Sequence, residues 1–116
     1  MVVSHSLGTV VAYNLLKREG QQNGWVIPLF VTLGSPLGVT AIRKALAPNR
    51  HPESVSKWFN AMDDRDVVAL HPLDASIFPT RPEIENKTDV DNRTPDRHGI
   101  EGYLEDRSSP PKFMRC

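Results

Sequence analysis

Cysteine is nearly absent from this sequence: its 116 residues include one, at the last position, Cys116. No disulfide can therefore form within the chain, and a catalytic thiol is not expected so close to a terminus. This cysteine usage is compatible with a reducing compartment. Because no charged stretch followed by an apolar one begins the chain, as in a secretory signal, we expect a cytoplasmic protein.

An excess of charge of either sign is also lacking, because 14 lysines and arginines balance 14 aspartates and glutamates. This neutrality gives no electrostatic reason to expect nucleic acid or an anionic membrane as a partner. The longest strongly apolar run, Val26 to Leu33, is less than half of the roughly 20 residues that a membrane-spanning helix needs. With 39% hydrophobic residues, the composition predicts a small globular domain without a membrane span.

What the sequence does contain is a repeated order of strand and helix signals. Val2 and Val3 predict a buried strand at the start. Four apolar residues then recur at helical spacing and predict a helix over residues 7–19: Leu7, Val10, Val11 and Leu15. Gly20 can take the left-handed conformation just beyond this helix.

The remaining chain continues this order with shorter elements. The signals predict strands at 26–33, 55–62 and 84–90, helices at 39–46 and 99–105, and a loose tail at 107–116. The strand at 26–33 is continuously apolar, which is typical of a parallel strand covered on both faces. The order predicts an α/β fold with a mostly parallel sheet of about four strands flanked by helices.

The segment Ser4-His5-Ser6-Leu7-Gly8 lies where the first strand gives way to the helix. A serine on such a sharp turn can have its hydroxyl exposed at the carboxyl edge of the strand, near the positive end of a helix. The usual pattern is G-x-S-x-G, and Ser4 replaces its first glycine. We expect small residues at Ser4 and Gly8 because the turn brings them against neighbouring backbone. Ser6 is therefore the candidate nucleophile.

This His-Ser-Leu-Gly turn resembles the nucleophile elbow of the α/β-hydrolases, in particular their lipase-like and esterase-like members. The resemblance covers nearly the whole chain and implies a nucleophile first, an acid after a later strand and a histidine last, before a helix. Ser6, Asp66 and His98 occur in this order. The resemblance implies that residues 1–106 are the C-terminal half of an α/β-hydrolase domain, with a partial fold of that family.

Four histidines are candidates for the base that must take the proton of the serine. His5 adjoins Ser6, and the geometry of an elbow should point its side chain away from the nucleophile. His51 lies in a loop, and His71 lies in an irregular segment. His98 lies in the polar loop that opens the last helix, where the family has its base, so the resemblance implies His98.

Three aspartates that follow the third predicted strand are candidates for the acid: Asp63, Asp64 and Asp66. In the family the acid often stands in an Asp-x-Val context, which Asp66 matches, while Asp63 is the alternative.

The sequence has no Cys/His spacing for zinc and no glycine-rich phosphate loop, and Arg93 and Thr94 interrupt an EF-hand-like run. We therefore expect neither a metal nor a cofactor.

Acyl transfer also needs amide donors for the developing oxyanion. The backbone N–H of Leu7 is one candidate, and the second should come from a loop after an earlier strand, for which the chain has no upstream residues. The loop Gly34-Ser35-Pro36-Leu37 follows the neighbouring strand, and related hydrolases have such a loop beside the active site. We therefore predict that Ser35 and Pro36, with His5, contact the substrate.

Together these patterns predict a serine hydrolase that cleaves a small-molecule carboxylic ester. The same residues would serve a serine peptidase or amidase, and the rival from another class is a non-catalytic remnant or interaction module. The first strand would have an open, apolar edge, which is an aggregation hazard. We therefore expect a fragment truncated at its N-terminus, with low or no activity alone, whose sheet is completed by a missing N-terminal half or by a second copy of the chain.

Overall fold

The computed structural model describes residues 1–105, so the predicted tail at 107–116 and Cys116 lie outside the described residues. Within them the strands are β1 (Val2–His5), β2 (Ile27–Leu33), β3 (Val55–Ala61) and β4 (Glu85–Lys87). The α-helices are α1 (Leu7–Glu19), α2 (Thr40–Ala45) and α3 (Ile100–Glu105). Two short 3-10 helices, Pro36–Gly38 and Pro95–Arg97, precede α2 and α3.

The strands form one sheet in the order β1-β2-β3-β4, and every neighbouring pair is parallel. The prediction of an α/β fold with a mostly parallel sheet of about four strands is therefore confirmed. The carboxyl ends of parallel strands meet at the same edge of a sheet. The segments that follow β1, β2 and β3 consequently converge at one edge, and these segments carry Ser6, Gly34 and Asp66.

One face of the sheet is covered by an aromatic cluster of four side chains, each at most 2% exposed: Tyr13, Phe30, Trp58 and Phe78. The ring centroids of Trp58 lie 5.0 to 5.7 Å from those of the other three. Aromatic rings at such separations attract one another beyond the effect of their buried area. This cluster joins α1, β2 and β3 into one core.

The opposite face has a second core of seven buried residues: Leu29, Val31, Leu33, Phe59, Ala61, Val90 and Tyr103. Val31 follows Phe30 directly, and successive side chains of a strand point to opposite faces. Tyr103 comes from α3, so this short helix covers the second face. Tyr13 and Tyr103 therefore lie on opposite sides of the sheet.

Helix α1 spans the predicted residues 7–19, but three of its four apolar positions face outward. Leu7, Val11 and Leu15 are 66%, 69% and 44% exposed. The buried positions of this helix are Thr9, Tyr13, Leu16 and Lys17. Helical spacing therefore predicted the helix correctly but did not identify its buried face.

Gly20 does not adopt the left-handed conformation that a glycine can take beyond a helix. Gly20 has φ −58° and ψ −48°, and the positive φ of +67° occurs at Gly24. A Cβ atom on Gly20 would lie 2.9 Å from the Cβ of Ser54 and 2.7 Å from the carbonyl oxygen of Leu16. A glycine is needed there for close packing rather than for backbone freedom.

The predicted strand at 84–90 is shorter in the structure, at Glu85–Lys87. Beyond it the chain turns, and Asp89 forms an isolated antiparallel bridge with Asp63.

Among the helices of residues 1–105, none combines the length and apolar character that crossing a bilayer requires.

Candidate active site

Ser6 occupies a sharp turn between β1 and α1. Its backbone has φ 57° and ψ −132°, a conformation that residues other than glycine rarely adopt and that costs about 1 to 3 kcal/mol. The N–H of Ser6 donates to the carbonyl of Leu33 (3.0 Å), and its own carbonyl accepts from the Thr9 hydroxyl (2.7 Å). These bonds from neighbouring segments hold the strained turn.

The two small residues that flank Ser6 differ in what surrounds them. The hydroxyl of Ser4 donates to the carbonyl of Val31 at 3.1 Å and so joins β1 to β2. A Cβ atom on Gly8 would have no atom of the described residues within 4 Å. The prediction that this position requires a small residue is therefore wrong. Gly8 lies on the exposed first turn of α1, where no neighbouring backbone approaches it.

The structure brings Ser6, His98 and Asp66 into one hydrogen-bonded row. The distance from His98 Nδ1 to Asp66 Oδ2 is 2.7 Å, and that from His98 Nε2 to Ser6 Oγ is 2.6 Å. A carboxylate only accepts hydrogen bonds, so Nδ1 carries the ring proton and Nε2 is left as the acceptor. The hydroxyl of Ser6 therefore donates to a nitrogen that is free to take its proton.

Asp66 is 1% exposed, and both oxygens of its carboxylate accept hydrogen bonds. Oδ1 accepts from the backbone N–H groups of Val68 and Ala69, at 2.9 and 3.3 Å. Oδ2 accepts from His98 and also from the hydroxyl of Tyr103, at 2.5 Å. A buried charge needs such partners. The carboxylate is thus fixed in one orientation towards His98.

Asp63, the alternative acid, has a different set of contacts. Its carboxylate accepts from the backbone N–H groups of Arg65 (2.8 Å) and Asn92 (2.9 Å), and it lies 3.6 Å from the guanidinium of Arg97. These contacts join the loop after β3 to the loop that carries His98. Of the two predicted alternatives, Asp66 is therefore the one in contact with His98.

The side chain of His5 contacts the backbone of His98, the candidate base. Nε2 of His5 donates to the backbone carbonyl of His98 at 2.5 Å, and the two ring centroids are 4.7 Å apart. The side chain thus packs against a neighbouring loop, in the manner expected of a residue adjoining the elbow. The substrate contact predicted for His5 stays a prediction.

The other residues predicted to contact substrate lie in the loop after β2. The hydroxyl of Ser35 is buried, lies 2.7 Å from the hydroxyl of Thr9 and accepts from the N–H of Leu37. Ser35 thereby caps the 3-10 helix in which Pro36 is the first, also buried, residue. Their role against substrate stays a prediction, and neither residue is exposed in this structure.

Gly34, in the same loop, supports the site by having no side chain. Its φ is +57°, and a Cβ atom there would lie 2.9 Å from Asp66 Oδ2 and 3.1 Å from His98 Nδ1. The backbone of this loop therefore packs directly against Asp66 and His98. Sequence reasoning included Gly34 in the loop but did not identify this contact.

Asn92 is a fully buried residue that sequence reasoning missed. Its Nδ2 donates to the carbonyl of Gly99 (2.9 Å), and its Oδ1 accepts from the N–H and the hydroxyl of Thr94 (3.0 and 2.6 Å). These bonds close the loop from residue 92 to 99, which contains His98. The signal in the sequence is only a loop asparagine followed two residues later by a threonine.

The two remaining histidines, His51 and His71, make contacts outside the row of Ser6, His98 and Asp66. His51 is buried, its Nδ1 donates to the carbonyl of Pro52 (3.1 Å), and burial lowers the pKa of its ring. His71 is exposed, with its Cβ packed near Gly38. Within residues 1–105 no group of three or more His, Cys, Asp or Glu side chains is placed to hold a metal ion.

Comparison with known proteins gives no assignment, because no family model, curated protein or solved structure matches the chain significantly.

Proposed function

We propose that this chain is a serine hydrolase of the α/β-hydrolase type that cleaves carboxylic esters. Ser6 is the nucleophile, His98 the base and Asp66 the acid. The observation that carries the proposal is the row of hydrogen bonds of 2.6 and 2.7 Å that links side chains from three distant parts of the chain. The strained backbone of Ser6 supports it, because such strain persists where the surrounding structure enforces it, often at active sites.

In the acylation step, Ser6 Oγ attacks the carbonyl carbon of the ester and its proton passes to His98 Nε2. The Asp66 carboxylate stabilises the resulting imidazolium through Nδ1. The carbonyl oxygen becomes an oxyanion, towards which the backbone N–H of Leu7 is the candidate donor because the first amides of a helix lack partners within it. Collapse of the tetrahedral intermediate breaks the ester C–O bond, and the alcohol leaves with the proton from His98.

Deacylation repeats the same steps with water. His98 Nε2 takes a proton from a water molecule, whose oxygen attacks the acyl carbon bound to Ser6. The second intermediate releases the carboxylic acid, and the proton returns to Ser6 Oγ. Because the side chain of His98 is 20% exposed, water can reach this base.

Amide cleavage by the same residues is an alternative within enzymes. An alkoxide leaves more readily than an amide nitrogen, so esters are the less demanding substrates for one and the same set of groups. Hydrolysis of p-nitrophenyl acetate and butyrate, compared with the matching p-nitroanilides, separates the two activities. Faster turnover of the anilides would overturn the ester assignment.

A non-catalytic interaction module is the rival, and one observation favours it. The outward face of α1 exposes Leu7, Val11 and Leu15, and β1 pairs only with β2 in the described sheet. An exposed apolar stripe and an unpaired strand edge are each typical of surfaces that other chains cover. Persistent self-association by a chain without a reactive serine would favour this rival.

The decisive test is labelling of the purified chain by a fluorophosphonate, with circular dichroism to verify folding. We expect Ser6→Ala and His98→Ala to abolish labelling. Ser4→Ala removes a nearby hydroxyl that donates to Val31, and His71→Ala removes an exposed imidazole, so both should label like the wild type. A folded wild-type chain that never labels would overturn the proposed function.

A further inference from the structure

Tyr103 makes two hydrogen bonds at the candidate acid. Its hydroxyl donates to Asp66 Oδ2 at 2.5 Å and accepts from the backbone N–H of Asp63 at 3.1 Å. The residue is 3% exposed, so water does not compete for these bonds. The hydroxyl therefore points at the same carboxylate oxygen that accepts from His98 Nδ1.

Two donors on one oxygen affect each other. A hydrogen bond to a carboxylate stabilises its negative charge and weakens its attraction for a second proton. The hydroxyl of Tyr103 therefore lowers the stabilisation that Asp66 gives to the imidazolium of His98. Without this hydroxyl, more negative charge on Oδ2 would face the ring, and His98 would keep its proton to a higher pH.

We propose that Tyr103 is a positioning residue that fixes the Asp66 carboxylate and sets the pH at which His98 becomes a base. The importance of this coupling for catalysis rests on the proposed function, whereas the coupling itself does not. Burial, together with the hydrogen bond to Asp66, raises the pKa of Tyr103 far above its ordinary value. The hydroxyl therefore remains a donor throughout the neutral range.

Other charged and titratable groups also face this row. Asp63 lies beside the Tyr103 hydroxyl, and the guanidinium groups of Arg65 and Arg97 lie 3.5 and 3.6 Å from its carboxylate. The ring of His5 has its centroid 6.1 Å from that of Tyr103. All four groups remain when the Tyr103 hydroxyl is removed, so a comparison of wild type and variant isolates the hydroxyl.

Tyr13 provides a matched control. Its hydroxyl is also buried, donates to Asn49 Oδ1 at 3.1 Å and accepts from the N–H of Arg50 at 2.9 Å. Tyr13→Phe and Tyr103→Phe thus each remove one donor to a side-chain oxygen and one acceptor of a backbone N–H. Only Tyr103→Phe acts on a carboxylate that contacts His98.

The experiment follows the ring of His98 by NMR across pH in the full chain, with the resonance assigned by His98→Ala. We expect the titration midpoint of His98 to rise by about 0.5 to 1 pH unit in Tyr103→Phe, by the removal of one hydrogen bond to the neighbouring charge. Tyr13→Phe should leave the midpoint within about 0.1 unit of the wild type. The pH profile of fluorophosphonate labelling should move with the NMR midpoint.

A second variant retains the packing in case Tyr103→Phe does not fold. Replacing Tyr103 by 3-fluorotyrosine makes the hydroxyl a stronger donor and should move the midpoint of His98 below that of the wild type. A midpoint that moves in neither variant, or that moves equally in Tyr13→Phe, overturns the proposal. A chain that never labels while its midpoint moves as expected supports the coupling and overturns the proposed function alone.

Discussion

Tyr13 and Tyr103 make the same two kinds of hydrogen bond on opposite sides of the sheet, but their hydroxyl groups donate to different kinds of partner. The hydroxyl of Tyr13 donates to the neutral amide of Asn49, within a side of the molecule that is packed by aromatic rings. The hydroxyl of Tyr103 donates to the charged Asp66, within a network of buried polar groups. We therefore predict that stability depends mainly on the aromatic side and labelling by a fluorophosphonate on the polar side, and that mutations separate the two.

The largest expected effect is on the polar side, in Asp66→Asn. An amide of the same shape carries no charge to stabilise the imidazolium and can favour the wrong tautomer of His98. We expect the labelling rate to fall by about 10³ to 10⁴ while the fold is retained. The second-order rate constant with a fluorophosphonate, measured beside a circular dichroism spectrum, tests this.

Asp63→Asn is the matched control because Asp63 is also buried and follows the same strand. Its carboxylate accepts from the N–H groups of Arg65 and Asn92, so the substitution should lower the free energy of unfolding by about 1 to 3 kcal/mol. Labelling should fall much less than in Asp66→Asn. The reverse order of labelling rates would show that Asp63 is the acid.

On the aromatic side, the largest effect should be that of Trp58→Ala. Removing this buried ring leaves a cavity among Tyr13, Phe30 and Phe78, and we expect a loss of about 3 to 5 kcal/mol in the free energy of unfolding. Urea unfolding measures this loss. Labelling per folded molecule should stay close to that of the wild type, and a large drop in it would mean that the two sides are not separable.

The chain offers a control for this variant in Trp25, its other tryptophan, which is 37% exposed. Trp25→Ala should change the free energy of unfolding by less than about 1 kcal/mol, as a partly exposed side chain loses less on truncation. Equal losses for the two variants would contradict the packing described for the aromatic cluster.

Gly34→Ala should affect both stability and labelling, the former less than Trp58→Ala does and the latter less than Asp66→Asn does. The new methyl group would meet Asp66 Oδ2, the ring of Tyr103 and His98 Nδ1, and φ is positive there. We expect a loss of about 1 to 3 kcal/mol in stability and a fall of about tenfold or more in labelling rate. Rate constants and urea midpoints of the same preparations check both expectations.

Gly8→Ala is the matched control for that substitution, because a methyl group at Gly8 meets nothing within 4 Å. At this position in α1 alanine should stabilise the chain by about 0.5 to 1 kcal/mol and leave labelling unchanged. If Gly8→Ala slowed labelling as much as Gly34→Ala, the elbow would be as crowded as the sequence pattern suggested.

Local signals in the sequence were enough for the first three strands, for α1 and for the elbow at Ser6. Val2 and Val3 change to helical spacing within a few residues, and this change of period depends on neighbours in the chain. His98 and Asp66 came from the order of residues in a resembling family rather than from spacing, since the chain must fold before they meet.

Tyr103 had no local signal for its role, and Asn92 had only a weak one. Tyr103 reads as one more apolar position of a short helix, and its contact with Asp66 joins residues 37 apart in the sequence. Asn92 reads as a polar loop residue. The exposed apolar stripe of α1 could not be predicted for the same reason. Periodicity specifies a helix face, but only the packed neighbours decide whether that face is buried.

The smallest expected effect is one that the two tyrosines share. Burial, the larger cause in each case, raises the pKa of both Tyr13 and Tyr103 above the value in the unfolded chain. The stability that each phenol contributes is therefore fully present below pH ~10 and is lost as the pH rises above it, since the phenol then ionises more readily in the unfolded chain than in the folded chain. Each Tyr→Phe variant lacks this loss.

The gap in unfolding free energy between wild type and variant should consequently narrow from pH 8 to pH 10.5 for both variants, and by about 0.8 kcal/mol for Tyr103→Phe, because burial raises the pKa of Tyr103 far above its ordinary value. Urea unfolding at the two pH values measures the gap, and the difference removes the contribution of other groups such as Lys17. A gap that does not narrow for Tyr103→Phe would mean that its phenol ionises as in the unfolded chain. A Tyr103 hydroxyl that ionises so readily would not be held against the Asp66 carboxylate. The two tyrosines would then differ in burial as well as in the charge of their partners.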